Sequence, residues 1–371
     1  MTTNIFSEMA IIYDNILQHI KNPKLDVDGK IIPYIFMPVS IQGVGKTTLY
    51  KNIKAHLQAI DNSEVINIAS ADIYMPKKFN FNLLKDCHRK CMEDAVNIIK
   101  SGQHCFLDNL NGSAHFRTIY KLICDTYGAI LVPYIIYGDK WLFCKEEDID
   151  KEFLETIIRR CDNRFKLGGT YIDENIIMKT ISTIRNDYNM NHTTSTGEEQ
   201  VVHQPSCYGN NIESWLNSFP NPPYKPGFNS VESQYIFRNN IIDKMVDKHI
   251  REDIRFIHRK EDRLNKHIQR GIENHITLID RSEMTTEIEV YIKDFPLYPL
   301  AMGFNLPISK GVGRYVNENN EDTIFIVLDW EYGNKIRRSV GLKDKDFHIT
   351  LMWSGKHNIN NVCKNETTLN W

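Results

Sequence analysis

The feature that most constrains this chain is an apolar run, Ile31 to Met37, that breaks into Ser40-Ile41-Gln42-Gly43-Val44-Gly45-Lys46-Thr47 and continues as Thr48-Leu49-Tyr50 with helical patterning. Strand, glycine loop, lysine, hydroxyl and helix in that order are the parts of a phosphate cradle. Gly43 and Gly45 let backbone N–H groups turn inward, and Lys46 reaches toward the β- and γ-phosphates. Thr47 offers a hydroxyl to Mg2+, and the helix N-terminus adds partial positive charge. Ser40, Val44 and Thr48 complete the expected nucleotide-binding set. Ser40 stands where the pattern G-x-x-x-x-G-K-[ST] has its first glycine, and a solvated Gly-rich turn is the plainer alternative. Further apolar runs at 65–69, 104–107 and 129–137 alternate with helical stretches. That rhythm predicts an α/β domain, a parallel sheet with helices on both faces.

The other end of the chain carries one tetrapeptide twice, His275-Ile276-Thr277-Leu278 and His348-Ile349-Thr350-Leu351. Each copy runs through apolar, β-branched residues, Ile272 to Ile279 and Phe347 to Trp353, so each reads as a strand. On a strand, residues i and i+2 share a face, which turns His and Thr of each copy the same way. Two imidazoles suit metal-free phosphodiester cleavage: one takes a proton from water, the other gives one to the leaving oxygen, and the threonine hydroxyls hold phosphate oxygens. A single His in a strand is usually structural, so it is the repetition that carries the signal. The pair resembles the 2H phosphoesterase superfamily. The resemblance covers about residues 235–371 and implies a bilobal α+β domain with one H-x-T motif per lobe.

Two acids sit at the ends of apolar runs in the first half. Ser70-Ala71-Asp72-Ile73-Tyr74 follows Val65 to Ile68, and Asp108-Asn109-Leu110-Asn111 follows Cys105-Phe106-Leu107. Open α/β sheets place their ligands at such strand ends. The S-A-D-x-Y segment, His88-x-x-Cys91 and D-N-x-N resemble the polynucleotide-kinase-like P-loop family, which includes the kinase domains of tRNA ligases and the amino-terminal domain of cyclic nucleotide phosphodiesterase. The resemblance makes Asp72 the general base for a 5′-hydroxyl, with a helix N-cap as the alternative role. Asp108 and Asn109 either position Mg2+ through water or shape the acceptor site. Arg160 and Arg164, i and i+4 on one helical face, match the lid arginines of those kinases, which close over donor phosphates. A solvated basic face is the alternative there. His88 and Cys91 fall short of a zinc site, since no second ligand pair lies near.

The chain has 371 residues, 42% hydrophobic and 25% charged, enough for two domains with sizeable cores. A formal net charge of −2 argues against broad wrapping of nucleic acid and permits a short RNA end held in a pocket. Eight cysteines without C-x-x-C spacing point to free thiols in a reducing compartment, cytoplasm or nucleus. No leader and no membrane-length apolar run is seen. The abundance of Ile, Asn and Lys hints at an AT-rich coding genome, as some viruses or protists have, and so at a virus-infected host cell.

The expected organisation is an N-terminal helix packed on the first domain (1–30), a P-loop kinase domain (31–185), a linker (186–231) and a 2H domain (232–371). Ile5, Met9, Ile12, Ile16 and Ile20 make the stripe of the first helix. Ile212 to Leu216 reads as a short helix inside the linker, Tyr235 to Asn274 as mainly helical, and Glu287–Ile292 and Thr323–Asp329 as strands. Arg251, Arg255, His258, Arg259, Lys260 and Arg263 form either an RNA-facing surface or a solvated face.

Together the resemblances imply a bifunctional RNA end-healing enzyme, a 5′-hydroxyl kinase using ATP or GTP with Mg2+ and a metal-free 2′,3′-cyclic phosphodiesterase. That is the domain order of the healing half of fungal tRNA ligases. Lys24 to Gly29 has the wrong spacing for a nucleotidyl-lysine motif, so ligation either falls to a separate RNA ligase or does not occur. The alternatives are a cyclic nucleotide or 2′,5′-oligoadenylate phosphodiesterase with a non-catalytic nucleotide-binding domain, and a non-catalytic RNA-binding scaffold.

Overall fold

The computed structural model describes residues 5–61, 65–76, 81–144, 146–167, 172–190, 227–231, 234–238, 240–256, 258–271, 274–293, 306–356, 358–359, 362 and 364–369. It divides into two units, Met1–Asn221 and Pro222–Trp371.

In the first unit the apolar run forms β1 (Tyr34–Val39), buried at every residue, as a strand flanked on both edges and covered on both faces must be. It pairs in parallel with β3 (His104–Leu107) and β4 (Ile130–Ile135), and β2 (Ile66–Ala69) adds outside β3. The order is β2-β3-β1-β4, which brings the carboxyl ends of β1, β2 and β3 together. The glycine loop leaves β1 there and enters α2 (Lys46–Asp61). The four apolar runs thus form the four expected strands. Helix α1 (Ile5–Lys21) buries Ile12, Ile16 and Leu17 in this unit's core, as its stripe predicts.

Helix α7 (Glu174–Met190) runs past the expected domain end at 185. Ile177, Ile181 and Ile184 lie in the core. One turn further, Asp187 accepts from the buried Arg117 guanidinium at 2.7 Å, and Arg117 also donates to the Gly112 carbonyl. This long-range pair, on α4 (Ala114–Tyr127) and α7, makes the last turns of α7 part of the unit rather than of a linker.

Among the described residues the second unit holds two antiparallel sheets, β5-β6-β7 and β10-β9-β8. They comprise β5 (Gly227–Val231), β6 (Gln234–Arg238), β7 (Ile276–Ile279), β8 (Ile308–Val316), β9 (Asp322–Asp329) and β10 (Phe347–Trp353). β7 and β10 each sit at a sheet edge and come within 8 Å of one another between Cα atoms. Ile276 and Leu278 of β7, and Phe347, Ile349 and Leu351 of β10, share one core.

Three expectations change here. β5 falls inside the stretch read as linker, and β6 precedes the helices Asn240–Glu252 and Lys260–Arg270. Glu287–Ile292 is not a strand but part of the helix Thr286–Lys293. Thr285 Oγ1 accepts from the Ile288 backbone N–H at 3.3 Å, the N-cap that starts a helix. The Ile212–Leu216 helix and most of the linker lie outside the described residues.

Replacing Asp187 by Ala leaves a buried guanidinium without its carboxylate, a change that costs about 3 kcal/mol. A lower urea midpoint for unfolding of the first unit is expected, and an unchanged midpoint would show that α7 ends functionally before Asp187.

Candidate functional site

Each unit carries one cluster of chemistry-bearing side chains. In the first, a cleft of about 2580 Å³ is lined by Gly43 to Thr48, Asp72, Asp108, Asn109, Arg160 and Arg164. Gly43 and Gly45 hold φ of +72° and +104°, a conformation that favours glycine. A Cβ on Gly43 would lie 2.9 Å from Cys161 Sγ and 3.1 Å from the Ile157 carbonyl, so the loop packs directly on α6 (Lys151–Lys166). Ser40 and Val44 are buried beneath it.

Lys46 is buried with Nζ turned to the Ile41 carbonyl at 3.4 Å. Burial pushes its ammonium pKa down, with Asp108 and Asp72 acting in the opposite sense. Both acids therefore bear on the same lysine. Thr47 Oγ1 donates to Asp108 Oδ2 at 2.5 Å. These are two hard oxygen donors side by side, the kind Mg2+ takes along with phosphate oxygens and water. Asp72 lies on the short turn Ala71–Tyr74 and accepts from Arg164 Nη2 at 2.9 Å. Asn109 is held within the fold: its Oδ1 accepts from the Ala71 N–H at 3.0 Å, and its Nδ2 donates to Cys91 Sγ at 3.1 Å. It braces the Asp72 turn. His88 stacks on Phe116 with ring centroids 4.4 Å apart, a packing role. No group of three or more potential metal-ligating acids, histidines or cysteines occurs among the described residues.

In the second unit the strand pattern sets the geometry. Cross-strand partners share a face, and β10 pairs His348 with Val327 and Thr350 with Phe325. β8 places Gly311 and Gly313 opposite the same two β9 residues. A bulge between Thr350 and Met352 sends both Leu351 and Met352 into the core and brings Trp353, opposite Thr323, onto the His348 face. His275 directly precedes β7 rather than lying in it. Ile276 and Leu278 are fully buried, so His275 and Thr277 turn to the other side, as alternation requires.

His275 adds to the lowering of His348, and Arg270 acts on both rings. Burial is the main cause that lowers each ring, to about 4 for His275 and about 3 for His348. The charged groups that reinforce the shift are positive: Lys266 and Arg238 at His275, and Lys364 and Lys345 at His348. Both H-x-T pairs thus face one positively charged region.

Sequence reasoning missed the groups that build this region. Lys266 and Arg270 are i and i+4 on the helix Lys260–Arg270, which packs on β10. Lys266 Nζ donates to Asn274 Oδ1 at 2.9 Å, and Asn274 Nδ2 donates to Asp243 Oδ1 at 2.8 Å. That relay fixes the residue before His275. Arg270 lies over the Trp353 ring, 5.3 Å from its centroid. Buried Arg337 donates to the Leu278 carbonyl of β7 at 2.7 Å and to both oxygens of Glu283, holding that carboxyl near 2. Three of the six basic residues singled out from the sequence are engaged elsewhere. Arg251, Arg255 and Arg259 pair with Asp247, Asp253, and Asp262 with Asp322.

Residues 244–358 match the family model described as Swiss Army Knife, 2H phosphoesterase domain. The second unit carries a 2H phosphoesterase domain. The match spans both H-x-T motifs of this domain, and the first unit has a P-loop kinase-like fold by its strand order and loop. No curated protein matches the chain. Among solved structures, the Pnkp1/Rnl/Hen1 RNA repair complex is similar at 13% identity and a TM-score of 0.33, over 47% of this chain. The alignment spans about half, 52%, of that structure's chain. A fungal RNA kinase is similar at 14% identity and a TM-score of 0.23, over 88% of this chain and 86% of that one. The APS kinase CysC of Mycobacterium tuberculosis is similar at 11% identity and a TM-score of 0.25, over 28% and 76%. These likenesses are remote. No described helix is long and apolar enough to cross a membrane.

The relay through Asn274 gives a direct expectation. Asn274→Ala removes an acceptor of the buried Lys266 ammonium and should lower the stability of the 2H domain by about 1–3 kcal/mol, read by urea unfolding. Unchanged stability would remove the relay from the account of how His275 is held.

Proposed function

We propose that the chain is a bifunctional RNA end-healing enzyme. Its 2H domain opens a 2′,3′-cyclic phosphate, and its first unit phosphorylates a 5′-hydroxyl from ATP or GTP. The carrying observation is the pair of H-x-T faces on adjoining edge strands, ringed by positive charge. A phosphodiester is the anion that suits two imidazoles and two hydroxyls.

In this reading water attacks the phosphorus, one neutral imidazole takes its proton, and the other, protonated, gives a proton to the departing ribose oxygen. Thr277 and Thr350 hold the non-bridging oxygens. With both rings lowered to about 4 and 3, the free protein holds both neutral at pH 7. The phosphate's own negative charge favours protonation of one ring on binding.

For the kinase, Lys46 and the loop N–H groups receive the donor phosphates, and Arg160 and Arg164 cover them. Thr47 and Asp108 would hold Mg2+, which when bound neutralises charge on the phosphates. Asp72 accepts the proton of the attacking 5′-hydroxyl. Its ion pair with Arg164 has to open first, and a nucleotide's phosphates offer Arg164 the competing partner. The partners are RNA ends and a nucleoside triphosphate, and a separate RNA ligase would be the partner for any sealing step.

Two measurements test this. Incubation with a γ-labelled triphosphate and a 5′-hydroxyl oligoribonucleotide should transfer label. Asp72→Asn should lower transfer by about 10²–10⁴-fold, and absence of transfer by the unaltered protein removes the kinase half. For the phosphodiesterase half, kcat/KM reports the free enzyme, whose acid ring must be protonated. It should therefore fall as pH rises from 5 to 8, and a rise over that range contradicts the assignment. His275→Ala and His348→Ala should each lose about 10²–10⁴-fold.

A further inference from the structure

We propose that Lys364 is a further catalytic residue of the 2H site, its ammonium set against the non-bridging oxygens of the phosphorus on which His275 and His348 act. This rests on the phosphodiesterase reading above.

Lys364 lies outside both H-x-T motifs and beyond the family match, which ends at residue 358. It is only 7% exposed. Its Nζ stands 5.6 Å from the centroid of Phe325, the β9 residue opposite Thr350, and the same ring meets His348 edge-on at 5.9 Å. The lysine and the catalytic face are thus joined through one aromatic ring. Lys364 has no carboxylate within ion-pair distance and no hydrogen bond from Nζ among the described residues. The charges that act on it and on His348 are positive.

Among the described residues no anion faces this ammonium, and a negatively charged ligand would offset the cost of burying it. Burial, with Arg270 adding to it, lowers the Lys364 pKa to about 8, so it remains a cation at neutral pH. It is also held in place. The following segment lies on bare backbone: a Cβ at Gly313 would meet Thr368 Oγ1 at 2.6 Å and Phe325 Cε2 at 2.7 Å, and one at Gly311 would meet Leu369 Cδ2 at 3.3 Å. Lys310 pairs with Glu366 at 2.7 Å, and Asn365 caps the turn through the Thr367 N–H at 3.1 Å. Two glycines on β8 therefore let the segment after Lys364 lie against the catalytic face.

The chemistry balances without a proton from Lys364. A water oxygen bonds to phosphorus, and the bond from phosphorus to one ribose oxygen breaks. The water proton passes to one imidazole, and the other imidazole protonates the ribose oxygen. In the five-coordinate transition state the non-bridging oxygens carry one more negative charge than in the cyclic diester. A fixed cation beside them stabilises that state more than the ground state.

The test uses the full chain and 2′,3′-cyclic AMP. Lys364→Met should lower kcat/KM by about 10²-fold, with weaker binding of adenosine 2′-monophosphate by calorimetry. Lys364→Arg should retain most activity, because arginine stays charged. In the unaltered protein kcat/KM should fall more steeply above about pH 8, where Lys364 loses its proton, and Lys364→Arg should lack that break. Loss of activity in the histidine variants with full activity in Lys364→Met overturns the proposal and leaves the 2H reading standing. A break near pH 8 that persists in Lys364→Arg overturns it too, even if Lys364→Met fails to fold. Full activity in the histidine variants defeats the 2H reading itself.

Discussion

Positive charge gathered on a largely dehydrated sheet face is the constraint around which the second unit is built. Lys266 and Lys364 are buried, and Arg238, Arg270 and Lys345 bear with them on two imidazoles. Such a gathering raises the free energy of the protein, so the fold must offset it. Apolar packing does so on the opposite face, where Ile276, Leu278, Phe347, Ile349 and Leu351 meet in one core. Charge relays do so at the margins, through Asp243 and Asn274 to Lys266, and through Glu283 to Arg337. Burial, with this charge adding to it, explains the depressed histidines. A ring that loses its proton in this field can regain it when a phosphate brings negative charge.

The first unit solves a related problem with other means. Its glycine loop gathers backbone N–H groups, a helix N-terminus and one buried lysine, and its carboxylates stand close by. Thr47 with Asp108, and Arg164 with Asp72, are mutually satisfied pairs. A triphosphate with Mg2+ would exchange partners within these pairs rather than fill an uncompensated field. In the proposed function the two units would differ in how substrate binding is driven: by exchange of ion partners in one, and by relief of like-charge repulsion in the other.

Much of this was legible in the sequence because it follows from local periodicity. A parallel strand buried on both faces reads as a continuous apolar run, and four such runs became β1 to β4. The repeated H-I-T-L segments announced a shared face because alternation is fixed by strand geometry. The helix Thr286–Lys293 was illegible for the same kind of reason: over six residues, Ile288 and Ile292 fit a period of 2 and one of 3.6 alike, and only the Thr285 cap distinguishes them. The run of α7 past 185 was illegible because the Arg117–Asp187 pair joins positions far apart in the chain. Lys266, Arg270 and Lys364 were hidden by their ordinary appearance. A basic residue on a helix or in a tail looks the same in sequence whether it points to solvent or to a phosphate. Arg251, Arg255 and Arg259 looked as promising and proved to be paired with acids.

The central claim is that His275 and His348 act on one phosphorus atom. Its most direct measurement is a ring-resolved NMR titration of both histidines without and with adenosine 2′-monophosphate. The account predicts that both rings titrate near 4 and 3 in the free protein, and that the nucleotide shifts the signals of both at the same concentration and raises the pKa of at least one. Nucleotide binding that perturbs a single ring, or neither, would contradict it.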